Sequence, residues 1–564
     1  MQGTTAVEER TTSRQSIVDD LRTGWQATLA LVATHLILSA LTFNPTPHTG
    51  GDNAAYIALA HSLLEGQGYL ELYDPATPPH TQYPPVFPAM LALATLLGLG
   101  SWIGYKIVVV LASGIGIGAT YLWLRRRTGP RLALGVTSVL VLSPTILDLS
   151  HWVLSDVPFW ALTATALWAF DHLIEETAGD DGVRKTTWAG PTLAVGATTL
   201  AYFTRSAGLP LVIAVTVILA FHRRWRTLVG LGTVLAPLAL WWWLRARGLG
   251  GVDYVGQFWW VDPYSPELGT IGIGDLLTRV LENSSNYLSL HLPLLLTGQA
   301  GALSISLGIL ATLTALIGWV RRLSAPGVTE LFFPLYLGLI LVWPAVWSGE
   351  RFLLPAYPLL LGYAAEASRW ALDRWRPTLI QPLGIAALLA LVLLIGPTLY
   401  ESIEVSSRCM ARYRSGDPYP CLDPAAHDFF RLADWTGVAL PEEAVVISRK
   451  PRLFYGLSGR RGLIYPLSTD PEVFFDSVRE SGARYIVLDQ LTALTPRYIG
   501  PILEERAHAF CLLHTAEGGY AAILGILPEE SWAERPGAPT SGTGTVNLTD
   551  CPAGYLRAET DSAL

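Results

Sequence analysis

PVFPAMLALATLLGLG, residues 85 to 100, decides how this chain threads a membrane. The segment is apolar but carries Pro85 and Pro88, and it is short for a crossing helix, which needs about 20 residues and about 17 at the least. The test lies outside it, in four arginine clusters: RRRTGPR (125–131), HRRWR (222–226), Arg321-Arg322 and RWALDRWR (369–376). Basic loops stay in the cytoplasm. Eleven apolar segments, at 25–43, 102–124, 132–150, 157–174, 188–203, 207–221, 227–244, 302–320, 330–347, 352–369 and 378–398, start from an inside N-terminus and leave all four clusters on the cytoplasmic side. If 85–100 also crossed, RRRTGPR would land outside. It is therefore expected to re-enter or to lie at the interface. Residues 44–101 then form one long extracytoplasmic loop, 245–301 a second, and the C-terminus lies outside.

Composition agrees with a polytopic membrane protein: 51% of the 564 residues are hydrophobic, 15% are charged, and mean hydropathy is +0.37. A net charge of -8 without a basic stripe excludes nucleic acid as a partner. Residues 1–24 mix acidic, basic and hydroxyl side chains and lack the basic start and small-residue cleavage site of a secretory signal. They read as a cytoplasmic tail before an uncleaved anchor.

Beyond residue 398 the pattern becomes that of a soluble domain. EAVVIS (443–448), RGLIYPL (461–467), ARYIVLD (483–489) and YAAILGIL (520–527) read as strands, and PEVFFDSVRESG between two of them reads as a helix. Residues 399–530 are thus an extracytoplasmic α/β domain behind the 25–398 membrane domain, and 531–564 a flexible tail. All four cysteines lie in this last third, which suits an oxidising compartment. Proximity pairs Cys409 with Cys421 and Cys511 with Cys551, one of three possible connectivities.

Transport calls for polar groups at mid-membrane, whereas the span interiors here read as apolar. The ionisable residues Asp52, Asp156, Arg205, Glu350 and Arg351 come from distant parts of the chain and share one membrane face, as an interfacial reaction site requires. Asp52 can act as a general base toward an acceptor hydroxyl or simply cap the helix that follows. Asp156 opens a span and has the same two readings. Arg205 and Arg351 suit phosphate recognition, against headgroup snorkelling or a Glu350–Arg351 surface pair. His80, Gln82 and Tyr83, with Asn53 and Tyr56, are candidates to line the same cleft.

In order, GGDNAAY…HSLLEGQGY…YPPVFPAMLAL, LSDVPFWAL, FTRSAGLPL and ERFLLPAYPLLL resemble the signature of the GT-C membrane glycosyltransferases. The similar branch is the bacterial one related to protein O-mannosyltransferases and to the aminoarabinose transferase of lipid A. The resemblance implies an α-helical membrane domain and transfer of a hexose or pentose from a polyprenyl-phosphate-linked donor to a hydroxyl of a lipid, glycan or protein. It places Asp52 and Asp156 in catalysis and Asn53, Tyr56, His80, Tyr83, Arg205, Glu350 and Arg351 around the substrate. A divalent cation, Mg or Mn, would bind through Asp52 if at all. The chain departs from the aminoarabinose pattern: QYPP stands where that branch has a Glu-Lys pair before two prolines, and Asp52-Asn53 replaces an acidic pair. That argues against transfer of aminoarabinose to lipid A. Rival readings are a flippase or transporter of lipid-linked sugars and an O-antigen polymerase or ligase.

Overall fold

The computed structural model describes residues 17–175, 189–248, 254–376, 378, 380–534 and 548–557. Most of the expected tails at 1–24 and 531–564 lies outside the described residues. Five helices are long and apolar enough to cross a bilayer by length and composition: Leu21–Leu41, Trp102–Thr128, Trp225–Arg247, Ala302–Arg322 and Pro382–Arg414. The other expected spans are helical too, but several are shorter or interrupted. Lipid explains the outward face of Trp225–Gly248, where Trp225, Val229, Leu240, Trp241, Trp243 and Leu244 are 50 to 62% exposed.

The expected single span at 132–150 is two helices, Pro130–Leu142 and Pro144–Leu149. Pro144 has no N–H and disfavours helical backbone at the residue before it, so Ser143 is extended at ψ 115°. The Ser143 hydroxyl accepts from the N–H of Ile146 at 3.3 Å and donates to the carbonyl of Leu295 at 2.7 Å. Likewise, 352–369 resolves into Glu350–Leu353 and Tyr357–Trp375 around Pro355. Residues 85–100 form a helix only over Val86–Leu96. Phe87 and Leu91 are buried and Leu93 and Leu96 exposed, as in a segment lying along a bundle.

The arginine clusters meet at one end of the bundle. Arg127 reaches buried Glu330 and lies 3.6 Å from Asp171, Arg322 binds Glu366 at 2.6 and 2.8 Å, and Arg369 donates to the carbonyl of Thr128 at 2.8 Å. Arg224 donates to the carbonyl of Leu173 at 2.6 Å. The chain turns there between two helices at Gly129, whose φ of +85° an L side chain adopts only under strain.

The 35-residue helix Ile380–Arg414 is about 50 Å long at 1.5 Å per residue, which outruns a bilayer core of about 30 Å. Its end is tied to the next segment by the Cys409–Cys421 disulfide. The α/β domain that follows holds a five-stranded sheet in the order β2-β1-β3-β5-β4, formed by β1 Val446–Ile447, β2 Gly462–Leu463, β3 Tyr485–Asp489, β4 Phe510–Thr515 and β5 Ala521–Ile526. β2, β1 and β3 are parallel, while β5 is antiparallel to both neighbours. The helices Pro451–Ser458 and Pro471–Ser481 make the parallel crossovers. Alternation along β3 sends Tyr485 and Val487 into a core with Phe429 and Phe454, and Ile486 into another with Phe474 and Phe475. Cys511 on β4 is bonded to Cys551.

This domain is seated on the first loop. Ala54, from the helix Gly51–Leu64, is part of the domain's own core. The N–H of Gly462 donates to the carbonyl of Tyr73 at 2.8 Å, and Lys450 Nζ donates to that of Thr49 at 2.9 Å.

Candidate active site

Asp52 lies in the first turn of the helix Gly51–Leu64, whose cap is Gly50, so the capping role falls away. One carboxylate oxygen, Oδ1, accepts the hydroxyl of Tyr83 at 2.8 Å, and Oδ2 lies 3.9 Å from Arg351 Nη2. The side chain is 42% exposed. Burial and the charge of Asp52 push the Tyr83 phenol well above its ordinary pKa, so it remains an O–H donor.

From Tyr83 the contacts run inward. Its ring packs on Tyr56 at 4.7 Å, and the Tyr56 hydroxyl shares a 2.8 Å hydrogen bond with Ser155. Arg205, which ends the helix Ala189–Thr204, donates to Ser155 at 3.3 Å and pairs with Asp156 at 2.8 Å. Asp156 is buried and opens the helix Asp156–Glu175. The guanidinium carbons of Arg205 and Arg351 lie 4.9 and 4.7 Å from the centre of one ring, Phe352, within cation–π range. Glu350 faces His291 Nδ1 at 3.2 Å rather than Arg351, which removes the surface-pair reading. The His291 hydrogen bond holds the Glu350 carboxyl below the ordinary carboxylate range, against its burial.

The structure therefore gathers all nine expected site residues, but at two depths. Asp52, Glu350 and Arg351 are partly exposed. Asn53, Tyr56, His80 and Asp156 are at most 4% exposed and lie beneath them. Asp156 sits as the counter-ion that orients Arg205. Asn53 Nδ2 turns to His48 Nδ1 at 3.2 Å. His80 is held by Glu71 and by the backbone of Tyr83.

Sequence reading passed over Glu71, Tyr73, Lys450 and Arg452, which close the site from the side. A usable signal was present in SRKPRLF (448–454), three cations in four residues at the end of a strand. Asp52 Oδ1 accepts the Tyr83 phenol and Oδ2 faces the Arg351 guanidinium, and the described residues contain no group of three or more His, Cys, Asp or Glu placed to hold an ion.

No protein-family model matches the chain, and no curated protein matches it by sequence. Solved structures do. The oligosaccharyltransferase of Archaeoglobus fulgidus, tethered with an acceptor peptide containing the NVT sequon, aligns at a TM-score of 0.54 and 12% identity over 90% of this chain and 75% of that one. The same archaeal enzyme, AglB, in complex with an inhibitory peptide and a dolichol-phosphate gives 0.53 at 12% identity over the same shares. ArnT from Cupriavidus metallidurans, bound to undecaprenyl phosphate, gives 0.51 at 15% identity over 90% of this chain and 99% of that one. By structure, the chain has the GT-C fold of these membrane glycosyltransferases.

Proposed function

We propose that this protein is a bacterial inner-membrane glycosyltransferase of the cell envelope that moves a hexose or pentose from a polyprenyl-phosphate-linked donor to an acceptor hydroxyl at the outer face. The observation that carries the reading is the convergence of Asp52, Tyr83, Arg351, Phe352, Arg205 and Asp156 at one end of a GT-C fold. The neighbours, solved with undecaprenyl phosphate, with a dolichol-phosphate and with an acceptor peptide, support a lipid-linked donor and a separate acceptor. The arginine-rich end of the bundle supports the orientation, because basic loops stay in the cytoplasm and the site residues lie at helix ends on the other side. Site residues at helix ends, rather than at mid-span, favour transfer over permeation.

On this reading the residues divide the chemistry between them. Asp52 takes the proton of the acceptor hydroxyl as its oxygen attacks the anomeric carbon. The bond from that carbon to the phosphate oxygen breaks, its electron pair leaves with the phosphate, and the configuration inverts. Positive charge gathers on the sugar ring and negative charge on the departing phosphate, which Arg351 and, behind it, Arg205 stabilise from fixed positions. Asp156 keeps Arg205 oriented, and Glu350 with His291 fixes the turn that carries Arg351. The acceptor is a lipid, glycan or protein hydroxyl.

The test is transfer from a panel of radiolabelled polyprenyl-phosphate sugars by purified wild type and Asp52→Asn, with Tm recorded for both. The amide oxygen still accepts the Tyr83 hydroxyl, so Tm should hold while transfer falls about 100- to 10,000-fold, the range for a lost general base. Equal transfer by both proteins would remove Asp52 from the chemistry. No transfer by wild type from any donor would overturn the transferase reading in favour of lipid-linked sugar transport.

A further inference from the structure

The side chain that holds Tyr83 comes from the far end of the sequence. Arg452 lies at the start of the helix Pro451–Ser458, in the α/β domain, yet its Nη1 donates to the Tyr83 phenol oxygen at 3.2 Å. Its Nη2 lies 3.7 Å from Glu71 Oε1, and its guanidinium carbon lies 5.4 and 5.7 Å from the centres of the Tyr73 and Tyr83 rings. Glu71 also accepts from His80 Nδ1 at 2.6 Å and from the Tyr73 hydroxyl. His80 Nε2 in turn accepts the backbone N–H of Tyr83 at 2.7 Å. The contacts close on themselves: His80 grips Tyr83 by its backbone, Arg452 grips it by its phenol, and both grips end on Glu71.

Each protonation state in this ring follows from its neighbours. Because His80 Nε2 accepts a backbone N–H, its proton sits on Nδ1 and points at Glu71. Burial lowers the His80 pKa and keeps that neutral tautomer. Burial alone would raise Glu71, but the His80 hydrogen bond and the Arg452 charge outweigh it and keep the carboxyl ionised. Arg452 is always charged. A phenol has one O–H to donate. With its oxygen taken by a guanidinium and its backbone fixed, Tyr83 directs that O–H at Asp52 Oδ1, leaving Oδ2 toward Arg351 and the open side.

We infer that the C-terminal domain completes the active site, with Arg452 as a positioning residue that fixes the Tyr83 hydroxyl on Asp52. The inference rests on the transferase reading, and within it on Asp52 as the catalytic carboxylate. The domain is therefore more than a cover: the carboxylate is set for an acceptor only when the helix Pro451–Ser458 is docked on the first loop. The docking is built for this, since Ala54 enters the domain core, Lys450 bonds Thr49 and Gly462 bonds Tyr73 around the same loop.

The experiment is a double-mutant cycle on kcat and donor KM in the full chain, with Arg452→Met, Tyr83→Phe and the double variant, using whichever polyprenyl-phosphate sugar the wild type accepts. Each single variant should lower kcat about 10- to 100-fold, the worth of one hydrogen bond involving a charged group, with donor KM within about twofold of wild type. The double variant should be no slower than the slower single one, because Arg452 acts on Asp52 only through the Tyr83 O–H. The kcat-against-KM split and rescue by a conservative variant give readouts that mere structural loss would not move. Arg452→Lys, which keeps a charge but loses the fork, should retain more activity than Arg452→Met. Additive losses, a rise in KM alone, or no rescue by Arg452→Lys would overturn the inference while leaving the transferase reading intact. Inactive wild type would instead strike the reading itself. If Arg452→Met does not fold, Tyr83→Phe decides: wild-type kcat in that variant overturns the proposal.

Discussion

His48 shows how a residue that touches no substrate can still be fixed by the site. Its Nδ1 accepts the N–H of Gly50 at 2.9 Å, and its ring lies 4.0 Å from that of Trp152. Burial, then the charges of Lys106, Lys450 and Arg351, push its pKa down to about 3. The unfolded imidazole takes up its proton near pH 6.5, so between about 6.5 and 3 the unfolded state binds the extra proton and stability rises with pH. The contribution is complete above pH 6.5 and is lost as pH falls toward 3. Tm measured from pH 7 to pH 4 should therefore fall less steeply in His48→Asn, which keeps an acceptor for Gly50, than in wild type; equal slopes would show that the imidazole carries no such linkage. At this scale, sequence alone identified Asp52, Arg205, Glu350 and Arg351 as one constellation because their types and positions suit a charged interface. It could not rank their depth. Asn53, Tyr56 and His80 look as available as Asp52 in the sequence, and only packing shows them to be the layer beneath.

Helices were more legible than the joints between them. An apolar run declares a helix by composition, whereas the break at Ser143 depends on one proline in a run that otherwise continues. In the α/β domain four strands are visible as β-branched runs, but β4, FCLLHT, lacks that alternation and is recognised by its pairing with β5. Close helix contacts are hidden as well, because they depend on what a glycine faces. A Cβ at Gly318 would lie inside the contact distance of the Tyr363 carbonyl oxygen and 2.8 Å from its carbon, both backbone atoms of the helix Tyr357–Trp375. Neither can rotate away. Gly318→Ala should force the helices Ala302–Arg322 and Tyr357–Trp375 apart at a cost of about 1–3 kcal/mol, as overpacking does. The control is Gly338→Ala, where a Cβ meets nothing within 4 Å. Thermal unfolding in detergent should show a lowered Tm for the first and none for the second; matching values would mean that the two helices slide to accommodate the methyl.

Across the whole molecule, charge is segregated to two ends that do different work. Span parity in the sequence already put the arginine clusters opposite the site residues. It could not bring Arg452 to Tyr83, because that contact joins residues 369 apart and no local pattern records it. At the arginine-rich end Glu330 is 1% exposed and is held by Arg127 and by the Tyr363 hydroxyl at 3.1 Å. Removing one partner of a buried pair costs about 3–5 kcal/mol when the other charge is stranded, and less here because Asp171 and Glu366 stay 3.6 and 3.9 Å from Arg127. Glu330→Gln should thus lower Tm, while transfer per folded molecule stays near wild type, because its contacts lie at the opposite ends of the helices that carry the site. Asp52→Asn should do the reverse. Tm and transfer rate measured on both variants form a two-by-two comparison. Loss of transfer in Glu330→Gln at unchanged Tm would mean that the ionic end drives the site through the bundle, and the charges of that end would then have to be treated as control elements of the reaction rather than as its anchor.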